Sequence, residues 1–172
     1  MDEAGGRRLV CWQQVQFLVV SPEPTAMQTP TTRTQTIFRI ILGAFMLLAG
    51  IGHMTFQRQE FQAQVPEWVP ISKDLVVILS GVVEVLLGVA MIFWRQRRVE
   101  VGIALAVFYI LVFPGNIAQY VNDINAFGLD TEEKRFARLF FQPVLVAWAL
   151  WSTGAWGTVK RLFSGTSASH KV

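Results

Sequence analysis

The stretch from Leu75 to Trp94, LVVILSGVVEVLLGVAMIFW, constrains this chain more than any other. It is about 20 residues long and apolar almost throughout, the length a helix needs to cross a hydrocarbon core of roughly 30 Å. One carboxylate, Glu84, sits near its middle. Ionisable groups at that depth are costly, so they face protein or water and take partners. Ser80, Glu84 and Gly88 recur at i, i+4 and i+8, with Gly81 one turn before Glu84, so they share one side of the helix. The other side is Val, Ile and Leu. A stripe of small residues lets helices approach closely in a membrane, while the larger side chains face lipid.

Three more blocks follow the same logic. They predict helices over about 36–54, 101–120 and 131–156, beside 75–94. The expected fold is therefore all-α, an integral membrane four-helix up-and-down bundle spanning 36–156. Charged residues are only 16% of the chain, against about 25% in an average soluble domain. The net charge of +3 is too small and too scattered for a nucleic-acid partner. The partner it does imply is the lipid bilayer. A single cysteine, Cys11, excludes an intrachain disulfide or a CxxC pair, and two histidines do not build a metal cage alone.

Residues 1–35 read as a disordered tail with a Pro-punctuated linker, and Met27 is a candidate alternative start. The loop 55–74 carries two Val-Pro pairs and the aromatics Phe56, Phe61 and Trp68. It is expected to lie on the membrane interface over the bundle mouth, or simply to connect two helices. Arg39 is expected to snorkel to the interface. Pro114 should kink the third helix and free the carbonyl of Ile110. Asp130 with Glu133 resembles a capping box for the fourth helix. Residues 157–172 read as a short basic tail.

Basic residues set the expected orientation. Ten fall in the two termini and the 95–98 turn, and five in the two remaining connections. The positive-inside rule then places both termini in the cytoplasm. In that arrangement four segments put polar groups into the same outer half: His53 from the first, Ser80 and Glu84 from the second, Asn116 and Gln119 from the third, and Arg138 and Gln142 from the fourth. Two explanations stand open. One is an outward-facing ligand pocket. The other is a packing network, with Glu84 paired to Arg138 or His53.

The segments AGIGHMTF at 49–56, SGVVEVLLG at 80–88, FPGNIAQY at 113–120 and RLFFQP at 138–143 together resemble the DoxX-like family of four-helix membrane proteins. The resemblance implies redox-associated accessory membrane proteins. It places His53, Glu84, Asn116, Arg138 and Gln142 at the family's polar positions without assigning a reaction. The expected role is a non-catalytic accessory or assembly subunit in a bacterial inner membrane, with a membrane-protein partner or a second copy of itself. The alternative is a binding protein or enzyme for a lipophilic ligand such as a quinone. No resident cofactor is expected. A transporter ranks last, because four helices without an internal repeat make no path alone.

Overall fold

The computed structural model describes residues 30–166. The expectations of a disordered N-terminal tail and of a start at Met27 fall almost wholly on residues 1–29, outside the described ones. All regular structure among the described residues is helical. In chain order the elements are α1 (Arg33–Met54), α2 (Arg58–Ala63), α3 (Lys73–Phe93), α4 (Arg98–Val121), α5 (Glu132–Thr153) and α6 (Trp156–Thr166), with a 3₁₀ turn at Arg95–Arg97 before α4. Among the described residues, three segments are long and apolar enough to cross a membrane: α1, α3 and the stretch Arg95–Val121. α5 also has 22 residues. Its first turns carry Glu132, Glu133, Lys134, Arg135 and Arg138, which dilute its apolar character.

Local chemistry sets the boundaries. Thr32 caps α1 in a reciprocal box, accepting from the Gln35 N–H at 3.2 Å while Gln35 Oε1 accepts from the Thr32 N–H at 2.9 Å. The helix thus begins inside the segment expected to be tail. α5 is capped by Thr131 rather than by Asp130, whose carboxylate instead takes the Lys134 ammonium at 2.6 Å. The fourth long helix stops at Thr153, not at 156. Gly154 adopts φ +74°, a left-handed turn that glycine enters without a Cβ clash. The chain then continues as α6, so the C-terminal segment is helical through Thr166.

The packing consists of two tight pairs and two loose seams. In the first pair α1 and α3 run antiparallel with their backbones in contact. A Cβ on Gly50 would lie 2.7 Å from the Gly81 carbonyl oxygen, and one on Gly88 would lie 2.8 Å from that of Gly43. Only glycine permits this approach. In the second pair, α4 and α5, Gly102 seats Thr153, whose hydroxyl occupies the place a Cβ would take. The seams are polar-stitched at one end. Trp148 Nε1 donates to the Phe38 carbonyl at 3.2 Å, and Gln35 Nε2 to that of Trp151 at 2.8 Å, tying α5 to α1.

In the half of the molecule that holds the start of α1 and the end of α5, the interior is filled. Leu42, Met46, Met91, Leu105, Ala106, Tyr109, Ala149 and Leu150 form its core. Arg39 does not snorkel. It is 4% exposed, and its guanidinium donates to the Met91 carbonyl between α1 and α3. Its position, two residues before Ile41 and one before Ile40, places it on the helix-facing side with Leu42 and Gly43 rather than on the outer face. The outer faces are apolar: Phe45, Leu48, Leu79, Leu86, Ile110, Leu111, Phe140 and Phe141 are all exposed. Patches of this extent mark a surface that meets something apolar.

Candidate functional site

The opposite half, which holds the α1–α3 connection and the α4–α5 loop, is not filled. It encloses a cavity of about 550 Å³. That volume lies within the range of small-molecule sites, roughly 300–1,000 Å³. Its walls are mostly apolar, and its polar members come from all four long helices: His53 from α1, Ser80 and Glu84 from α3, Asn116 from α4, and Arg138 and Gln142 from α5. Six of the seven residues expected from sequence therefore line one space. The seventh, Gln119, is 1% exposed and sits behind the wall. It donates to the Ala126 and Ile124 carbonyls at 3.3 and 3.4 Å and accepts from Gln64 at 2.6 Å.

One wall is a His–Glu dyad. His53 Nδ1 lies 2.9 Å from Ser80 Oγ and 3.3 Å from the Val77 carbonyl oxygen. The Ser80 hydroxyl spends its proton on that same carbonyl at 2.9 Å. Both neighbours of Nδ1 therefore accept, and Nδ1 carries a proton. This turns Nε2 toward Glu84 Oε2, 3.4 Å away. The pair is ionic when Nε2 is protonated and neutral when the carboxyl holds the proton. Both residues are buried, and Oε2 is without a hydrogen bond among the described residues.

The facing wall centres on Arg138. Its Nε donates to Asn116 Oδ1 at 3.2 Å and its Nη2 to Gln64 Oε1 at 3.1 Å, and the guanidinium sits 4.8 Å from the centre of the Phe127 ring. Arg138 forms no ion pair with Glu84. Glu84 is engaged by His53 on α1, the helix packed most closely against α3, whereas Arg138 is drawn to amides on α4 and on the loop after α2. Arg135, one turn earlier on α5, does pair, with Asp123 at 2.6 Å.

Sequence reasoning named Phe61 and Trp68 only as interfacial aromatics of the 55–74 loop and did not single out Gln64 or Phe127. The segment expected to cover the bundle mouth contains α2, and it does close this end of the cavity. Phe61 stacks on His53 with ring centres 3.3 Å apart and meets Phe127 edge-on at 4.6 Å. Gln64 reaches both Arg138 and Gln119. Gly115 makes room for it, since a Cβ there would lie 3.1 Å from the Gln64 carbonyl oxygen. Arg58 fixes α2 to the start of α3 through a two-point contact with Asp74 at 2.7 and 2.5 Å, and this hydrogen bonding raises the Arg58 guanidinium above its ordinary pKa. The Pro114 interruption does not end α4. Gln142 Nε2 donates to the Tyr109 carbonyl at 2.6 Å, one residue from the carbonyl that Pro114 leaves without its helical donor. No group of three or more His, Cys, Asp or Glu side chains suited to a metal occurs among the described residues.

The cavity is not sealed. Phe45 on α1 and Phe141 on α5 line it and are themselves exposed, as are Trp68 before α3 and Leu111 on α4, so it reaches the apolar outer surface.

A family model matches residues 42–153, well over half of the chain. The chain belongs to the family described as a domain of unknown function (DUF8561). The DUF8561 match begins at Leu42 and ends at Thr153, so it takes in every residue that lines the cavity and leaves out α6. No curated protein and no solved structure matches the chain. The DoxX-like likeness remains one of short motifs.

Proposed function

We propose that this chain is an integral membrane protein, a four-helix up-and-down bundle, that binds a lipophilic small molecule in the cavity between its two helix pairs. The carrying observation is the convergence of six polar side chains from four helices on a mostly apolar space of about 550 Å³ that opens on the apolar surface. A packing network would close up around its own polar groups. Here Glu84 and Arg138 both line the cavity, and no ion pair joins them. A ligand with an apolar body and a hydrogen-bonding head, a quinone being one such class, fits both features. An accessory role in a membrane complex, redox-linked or not, is compatible with the same fold but has no comparable feature in its support. α5 completes the bundle as the fourth span, with its charged first turns at the interface and Arg138 directed inward.

The test is purification of the full chain from native membranes in mild detergent, with mass spectrometry of bound lipids and proteins. A lipophile bound at close to one per chain is the expected result. A stoichiometric protein partner with no bound small molecule would replace ligand binding with the accessory role.

Orientation follows from the basic residues, which place both termini in the cytoplasm and the cavity in the outer half. In a Cys11→Ser background, Asn125→Cys is expected to react with a membrane-impermeant thiol reagent from outside, and Gln96→Cys only after permeabilisation. The reverse labelling pattern would invert the topology.

A further inference from the structure

The ligand-binding reading leaves the head group open, and Arg138 narrows it. Every amide around this guanidinium is already oriented. Asn116 gives its Nδ2 to Gln142 Oε1 at 3.0 Å, which leaves its oxygen for Arg138. Gln64 gives its Nε2 to Gln119, which likewise leaves its oxygen. The cation is thus fixed by neutral acceptors, while its Nη1 forms no hydrogen bond among the described residues. No carboxylate of the described residues lies within ion-pair distance of it. A half-buried cation on an apolar cavity is costly unless a negative charge joins it. The one acid on the same cavity is turned to His53.

We propose that the occupant is a single-chain lipophilic acid whose carboxylate docks on Arg138 and whose apolar chain fills the cavity toward its openings on the bilayer. This rests on the ligand-binding reading above. A guanidinium presents parallel N–H groups that match a carboxylate's two oxygens, which a neutral carbonyl or hydroxyl does not exploit. The cavity volume suits one chain rather than a two-chain phospholipid.

The test compares oleate with oleyl alcohol, which has the same chain and no charge, on the full chain in mild non-ionic detergent, with binding to protein-free micelles subtracted. Oleate is expected to bind at least about tenfold more tightly, the ratio that one charge-assisted contact supplies. Arg138→Gln should bring oleate down to the alcohol's level, and Arg138→Lys, which keeps the charge but loses the fork, should fall between. Equal binding of the two ligands by the native chain would overturn the acid while leaving the ligand site intact. Binding of neither ligand would remove the ligand-binding reading as well. Phosphatidylglycerol competing as strongly as oleate would assign the anion to a phospholipid head group instead. A preference for oleate that survives in a folded Arg138→Gln protein would also sink the proposal, because another cation would then be responsible. The comparison in the native chain stands even if that variant fails to fold.

Discussion

Gly50→Leu and Gly81→Leu are expected to abolish assembly of the folded protein in detergent, whereas Val83→Leu leaves it intact. The reason is where the new atoms would go. A Cβ on Gly50 meets the Gly81 oxygen at 2.7 Å and the Val85 nitrogen at 2.9 Å, and one on Gly81 meets the Gly50 oxygen at 3.0 Å and the His53 Cβ at 2.8 Å. The obstacles are largely backbone, and they cannot rotate away as a flexible side chain can. Even Gly50→Ala should therefore destabilise, by about 1–3 kcal/mol, the usual range for overpacking a filled interior. Leucine adds three more carbons and forces α1 and α3 apart. Because His53 and Glu84 sit on these two helices, separating them also opens the dyad. Val83 is exposed on the outer face of α3, so one more methylene there touches no neighbouring helix. Size-exclusion profiles and thermal midpoints read both effects. Equal tolerance at Gly50, Gly81 and Val83 would show that the tight α1–α3 contact does not form.

The glycine contact shows what a sequence of this kind discloses. Gly43, Gly50, Gly81 and Gly88 lie seven apart on their helices, so one face was visible without coordinates, and the structure places each against the other helix. The polar residues on the same stripes, His53 and Glu84, were legible for the same reason. Residues off the long helices were not. Phe61 reaches the cavity from the six-residue α2, and Gln64 and Phe127 from loops, where no period marks which side chain turns inward. Phe127 depends on a left-handed backbone at φ 59°, rare for a phenylalanine, and on its N–H donating to Glu60 Oε2 at 2.6 Å. Helix period also failed to separate near neighbours. Asn116 faces the cavity while Gln119, one turn on, bonds behind it. Arg138 faces the cavity while Arg135 pairs with Asp123. In each case partners that help decide the direction lie off the helix, in a loop whose course the period does not reveal. Of the two partners expected for Glu84, the structure brings up His53 and not Arg138, since depth alone could not tell which cation would come within reach.

That correction changes which residues should be thermodynamically coupled. Glu84 and His53 face each other across 3.4 Å in a buried site, and His53 is held by Ser80 on the same helix as Glu84. Removing either one strands the other. With the carboxylate gone, Nε2 faces an apolar wall; with the imidazole gone, the carboxyl loses the only ion-pair partner it has among the described residues. Breaking a buried pair by deleting one member typically costs about 3–5 kcal/mol, and replacing both with apolar groups costs far less. Glu84→Leu and His53→Leu should therefore each lower the thermal midpoint in detergent sharply, and the double variant should recover much of the loss. Arg138→Leu should behave differently. Arg138 bonds to Asn116 and Gln64 and to neither member of the dyad. Its effect should add to that of Glu84→Leu with little coupling, because pairs without a shared partner contribute nearly independently. Losses at His53 and Glu84 that simply add, or a coupling of Glu84 to Arg138 as large as its coupling to His53, would show that Glu84 and His53 do not act as a pair.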